Sequence, residues 1–227
     1  MIISTYIQAT AALLLYPTEL FGTVIAAVSG ALSARRKSLD IFGIVVVAGV
    51  TSFGGGTIRD LLLGHRPAWM GRPESLLLVV AMAFLTTLYT RFRPLPKSTL
   101  LVADAFALAF FTLSGIKAAL LSGATPVTAV ILGTVTGVAG GAMRDVLCAE
   151  IPLIFRGEIY ALASLAGGSL YMVLRTVGAR DSFALGVAIA TIFSLRVSAI
   201  AWRLKLPSIT DALSPIQNEG SDDERAA

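Results

Sequence analysis

Seven long apolar runs set the terms on which this chain can fold, at about residues 13–34, 39–63, 75–90, 100–121, 127–148, 159–176 and 183–204. A run of about 20 apolar residues crosses the hydrocarbon core of a bilayer as a helix. Lipid offers no partner to a stray N–H or C=O, so helices are the form such runs take there. Charge is correspondingly scarce. Charged residues make up 14% of the chain and hydrophobic ones 56%, where a soluble domain averages about 25% charged, and the mean hydropathy is +0.81. The sequence predicts an all-α, polytopic membrane protein with seven transmembrane helices, the third run being the shortest.

Between the runs lie short connections punctuated by Arg35, Arg36, Lys37, Pro67, Pro73, Pro94, Pro96, Pro126 and Pro152. They leave no room for an inserted soluble domain, so residues 1–206 are expected to form one membrane domain. Beyond it the composition turns polar, with Asp211, Glu219, Asp222, Asp223 and Glu224, and predicts a disordered acidic tail over 207–227. The first basic residue is Arg35, so no basic n-region marks the first run for cleavage and it is expected to be retained.

Basic residues divide unequally between the two sides. Arg35, Arg36, Lys37, Arg91, Arg93, Lys97, Arg156, Arg203 and Lys205 fall on one side, and Arg66, Arg72, Arg175 and Arg180 on the other. Lys and Arg accumulate on the cytoplasmic side, which predicts an N-terminus outside and a C-terminus in the cytoplasm of a cell inner membrane. The basic face suits anionic lipid head groups, and no nucleic-acid partner is expected. Cys148 and His65 are the single cysteine and histidine, too few for a disulfide or a Cys/His metal site. With no Ser/His/Asp or Cys/His set beside the buried charges, neither enzymatic activity nor a cofactor is expected.

The chain also repeats itself. Segment 53–60, FGGGTIRD, matches 138–145, VAGGAMRD, at an offset of 85 residues. At the same offset Glu19 meets Asp104, Phe21 meets Phe106, Ser29 and Gly30 meet Ser114 and Gly115, and Pro67 meets Pro152. Each copy, about 13–90 and 100–176, holds three helices. An odd number sends the second copy into the membrane from the opposite side, related to the first by a pseudo-two-fold axis in the membrane plane. The seventh helix, about 183–204, stands outside the repeat.

Inverted repeats of this kind place a solute or ion route at the interface between copies, on helices that break near mid-bilayer. Gly54, Gly55 and Gly56, with Gly140 and Gly141 as the weaker counterpart, are expected to break helices two and five. The same glycines also suit close packing, because Ala48, Ser52 and Gly56, like Gly133, Gly137 and Gly141, fall four apart on one helix face. The inversion by itself fits a secondary transporter as readily as a channel.

Charges inside a membrane are costly and mark pairs or water-filled paths. Depth along the helices predicts a cluster of Glu19, Arg59 and Asp60 near one mouth and its mirror of Asp104, Arg144 and Asp145 near the other. Ser29, Thr51, Ser52, Ser114, Thr134 and Thr136 can line a path between them with hydroxyls, or bond back to their own helices. Lys117 has no repeat counterpart and Arg196 sits in the unrepeated helix. A lone lysine either snorkels or moves in the membrane field, which makes Lys117 a candidate gating charge.

With FGGGTIRDLLLG at 53–64, VAGGAMRDVLCA at 138–149 and three-plus-three-plus-one helices, the chain resembles the prokaryotic members of the trimeric intracellular cation (TRIC) channel family, over essentially residues 13–204. Bacterial relatives carrying the same signature are catalogued as an uncharacterised membrane family or as glycine transporters. The resemblance implies a homotrimer with one ion route per subunit, passing mainly potassium and to a lesser degree sodium. It further implies a pore bounded by helices two and five at Gly54 to Gly56 and Gly140 to Gly141. The alternative it leaves open is a secondary transporter of glycine or another small solute. The Lys-Glu-Val motif that binds phosphoinositide in animal members is absent from this sequence.

Overall fold

The computed structural model of the protein describes residues 2–93, 96–156, 159–202 and 204, with the backbone alone for 2–14 and 97. The expected acidic tail at 207–227 lies outside the described residues, as do Arg203 and Lys205. Seven α-helices form, and no strand occurs among the described residues. They are α1 (Ile2–Arg36), α2 (Ile41–Leu62), α3 (Pro73–Phe92), α4 (Lys97–Leu121), α5 (Pro126–Leu147), α6 (Ala161–Thr176) and α7 (Asp181–Trp202).

Six of the seven are long and apolar enough to cross a membrane; α6, with 16 residues, falls short of that length. At 1.5 Å per residue it spans about 24 Å, less than the ~30 Å hydrocarbon core. The shortest helix is therefore α6 and not α3, which runs for 20 residues. At the other extreme α1 begins at Ile2, not near residue 13, and continues through Pro17. Among the residues with described side chains, its membrane-length apolar part is Leu15–Arg36. The turns before Leu15 are themselves uncharged and apolar, with Ile2, Ile3, Ile7, Leu13 and Leu14, so the expected start near residue 13 falls inside one continuous helix.

Helices α1 to α3 pack on one another, as do α4 to α6, and the two trios meet through α1 against α4 and α2 against α5. α7 lies on α4 and α6, where Phe193 stacks on Phe106 with ring centroids 3.9 Å apart. Large side chains such as Leu108, Leu113, Ile116 and Ile192 fill the core around α4. The core of the first trio is built of smaller ones, including Ala27, Ala31, Ala48 and Ala83, so its backbones approach closely.

The sequence repeat returns as repeated backbone geometry. The N-cap Asp40 accepts from Gly43 N at 2.7 Å, and its counterpart Thr125 accepts from Thr128 N at 3.3 Å. α2 and α5 both end in a left-handed residue two positions past the helix, Gly64 at φ +72° and Ala149 at φ +52°. A proline then starts a single 3₁₀ turn in each copy, at Ala68–Gly71 and Leu153–Phe155. Left-handed backbone costs a residue with a Cβ about 1–2 kcal/mol and glycine almost nothing. Ala149→Gly is accordingly expected to stabilise the protein, by up to about 1 kcal/mol after the extra freedom glycine gives the unfolded chain. Gly64→Ala should destabilise it, and thermal unfolding in detergent measures both.

Candidate functional site

Arg59 sits in the last turn of α2 and Arg144 in the last turn of α5, each followed by an aspartate. A cation there faces the negative end of its own helix dipole. The Arg59 guanidinium meets Glu19 of α1 at 2.9 Å and Asp60 at 2.8 Å. The Arg144 guanidinium meets Asp104 of α4 at 2.6 Å and Asp145 at 2.7 Å. Each arginine also reaches across to the other copy: Arg59 Nη1 donates to Ser114 at 3.1 Å, and Arg144 Nη1 to Ser29 at 2.7 Å. The free oxygen of each aspartate caps its 3₁₀ turn, Asp60 accepting from Ala68 N at 2.9 Å and Asp145 from Leu153 N at 3.0 Å. The expected residues thus come together as two inverted clusters.

The clusters differ in burial and in what surrounds them. Arg144 is wholly buried, whereas Glu19 is met a second time by Arg72 at 3.2 Å, at the edge of a cavity of about 50 Å³. That cavity also touches Thr23, Ser52, Gly56 and Trp69. Sequence reasoning had no signal for Arg72, which stacks over Tyr16 with 4.8 Å from its guanidinium carbon to the ring centroid. At the opposite face a cavity of about 270 Å³ reaches Arg144 and Asp145 between Arg36 and Arg156. Glu150 ties its rim together, bridging Lys37 and Arg156 at 3.0 Å each. Its carboxyl is held below the usual carboxylate range, chiefly by Lys37 and then by Arg156. A carboxyl lowered by folding stabilises the fold at neutral pH and loses that contribution as the pH falls through its own value; with both partners about 40% exposed, the effect is small.

Between the cavities, α2 and α5 run as uninterrupted α-helices, so the expected glycine breaks are not present. The glycines serve a close crossing. A Cβ on Gly55 would overlap the backbone carbonyl oxygen of Thr136, and one on Gly140 the carbonyl oxygen of Thr51, its repeat mate. Gly54 faces only the flexible end of Met143. Gly56 and Gly141 turn to the clusters: the nearest atom to a Cβ on Gly56 is Arg59 Nη2 at 3.8 Å, and Gly141 faces Tyr160 and Asp104. With their N–H groups already satisfied within the helix, three consecutive glycines cost helix propensity without breaking the ladder, and the missing side chains let two backbones touch.

The hydroxyls divide in the same way. Thr51, Thr134 and Thr136 donate back to Val47, Val130 and Leu132 of their own helices. Ser29 and Ser114 belong to the charge clusters, and Ser52 donates to the Thr23 carbonyl at 3.1 Å beside the cavity at Glu19. Lys117 is paired with Asp181 of α7 at 2.6 Å, and Tyr171 donates to the same carboxylate at 2.6 Å. Arg196, also wholly buried, donates to the Ile159 carbonyl at 3.2 Å and lies over the Tyr160 ring. No group of three His, Cys, Asp or Glu side chains gathers among the described residues.

A sequence profile described as that of a glycine transporter family matches the chain twice, over residues 17–91 and 101–176. The two matches coincide with the two inverted trios. The chain belongs to this family. It is 41% identical over 198 residues to a UPF0126 membrane protein of Vibrio cholerae, covering 86% of this chain and 82% of that one. It is 40% identical over 201 residues to the UPF0126 inner membrane protein YadS of Escherichia coli K12, covering 86% and 96%. The TRIC trimeric intracellular cation channel orthologue from Rhodobacter sphaeroides superposes with a TM-score of 0.80 at 38% identity, covering 84% of this chain and 99% of that one. A prokaryotic TRIC channel superposes at 0.78 with 32% identity, covering 86% and 100%. This family member is a multi-pass membrane protein with the TRIC channel fold, and its similar structures are ion channels, not enzymes.

Proposed function

We propose that the protein is a monovalent-cation channel of the inner membrane, passing potassium and to a lesser degree sodium, as a homotrimer with one ion route per subunit. The observation that carries this reading is the pair of inverted Arg-Asp clusters, each opening on a cavity at its own face, with the two trios meeting between them at the α2–α5 and α1–α4 contacts. The superposition on TRIC channels supports the reading further. The route runs from the outer cavity past Ser52 and Gly56 to the crossing at Gly55 and Gly140, and on past Gly141 to the inner cavity. Its N-terminal side faces out and its basic side the cytoplasm.

Paired charges at the mouths hold the route's shape and set the potential an ion meets. The buried inner cluster sets the two acids Asp104 and Asp145 against Arg144. Separation of α2 from α5 at the crossing opens the route. Lys117 ties α4 to α7 at the outer end through Asp181 and is the charge placed to respond to the membrane field. Potassium flux into proteoliposomes tests the assignment: Asp60→Asn and Asp145→Asn should each lower it severalfold. Unchanged flux with unchanged assembly in both variants would remove these residues from the route.

A further inference from the structure

A third cavity, about 460 Å³ in volume, lies outside the two that flank the crossing. It sits on the basic face between the ends of α1 and α3 and the turn into α2, at the level where a bilayer places its head groups. Arg35, Arg91 and the Ser38 hydroxyl lie on its polar edge, and Leu39, Phe84 and Leu88 form its walls. The apolar walls are open: Phe84 is 56% exposed and Leu88 44%.

Arg35 is fixed in place before any ligand arrives. Its Nη1 donates to the Thr87 carbonyl at 2.8 Å and to the Thr90 hydroxyl of α3, which leaves the Nε and Nη2 edge of the guanidinium outside those bonds. A guanidinium held in this way presents a planar donor pair to a phosphate at little entropic cost. The repeat makes the arginines conspicuous. At an offset of 85 residues Arg35 corresponds to Leu120 and Arg91 to Thr176, the neighbour of Arg175 in the last turn of α6, so the inverted copy of this groove, on the opposite face, lacks the α1 arginine. A scaffold requirement would fall on both copies; the pairing of an α1 arginine with an α3 arginine occurs where the groove opens on the basic face.

We propose that this groove binds an anionic phospholipid of the cytoplasmic leaflet, its phosphate between Arg35 and Arg91 and an acyl chain along Phe84 and Leu88. Cationic side chains near a bilayer surface attract anionic lipid by about 1 kcal/mol each, or about fivefold in affinity. The test is native mass spectrometry of the purified full chain titrated with phosphatidylglycerol or phosphatidylcholine. Phosphatidylglycerol should be retained about 25-fold more tightly, fivefold for each arginine, and Arg91→Gln should cut that preference to about fivefold without changing thermal unfolding in phosphatidylcholine vesicles. Phe84→Ala should weaken retention of both lipids, because it removes wall and not charge. Equal retention of the two lipids, or a preference untouched by Arg91→Gln, would overturn the proposal. Displacement by millimolar inorganic phosphate would also overturn it, showing a soluble-anion site in place of a lipid site. So would loss of reagent access to Leu88→Cys in the assembled protein without lipid, which would give the groove to a second copy of the chain.

Discussion

Gly55→Ala should separate α2 from α5, although it adds a single methyl group. The new Cβ would overlap the backbone carbonyl oxygen of Thr136, and a backbone atom in the middle of a helix cannot swing aside as a side chain can. Overpacking costs about 1–3 kcal/mol, and this site belongs at the upper end of that range. The neighbouring glycines supply internal controls. Gly54→Ala meets only the end of Met143, which can move, and should be close to neutral. Gly56→Ala meets nothing nearer than 3.8 Å and should gain up to about 1 kcal/mol of helix propensity. Thermal unfolding of the three variants, with Gly140→Ala matching Gly55→Ala across the repeat, would establish the crossing as the reason for the triplet. A Gly55→Ala protein as stable as Gly54→Ala would refute it.

The second large effect is expected at Arg144. Arg144→Met leaves Asp104 and Asp145 buried without their cation, and breaking one side of a buried pair costs about 3–5 kcal/mol. Arg59→Met should cost less, because Glu19 keeps Arg72 at 3.2 Å and lies beside a cavity. The repeat makes the comparison clean, since the two arginines occupy equivalent places and differ in their surroundings. Replacing Asp104 by Asn in the Arg144→Met background should recover part of the loss, because it removes the uncompensated charge. Equal destabilisation by Arg59→Met and Arg144→Met would show that Arg72 carries no weight in the Arg59 cluster.

Much of this was legible in the sequence because the repeat doubled each signal. The match of Arg59 and Asp60 to Arg144 and Asp145, with Glu19 on Asp104, was enough to group six charges into two clusters. The serines Ser29 and Ser114 were visible as repeat mates, but their exchange across copies depends on how α1 and α4 pack and has no trace in spacing. The glycines misled for a definite reason. Helix propensity treats a glycine triplet as a weak point, whereas in a packed bundle the same lack of side chain lets Gly55 and Gly140 bring two intact helices together. Lys117 could have been taken further: a buried lysine without a repeat mate requires an acid that is also outside the repeat, and Asp181 opens the one unrepeated helix. Helix ends were read least well in α1, which starts well before residue 13, and in the short α6.

The channel reading is tested most directly by planar-bilayer recording of the purified protein in potassium chloride, with radiolabelled glycine uptake measured in matched proteoliposomes. The account predicts unitary potassium currents, smaller currents when sodium replaces potassium, and no saturable glycine uptake. Gradient-driven, saturable glycine uptake in the absence of single-channel events would contradict it and assign the inverted repeat to a transporter.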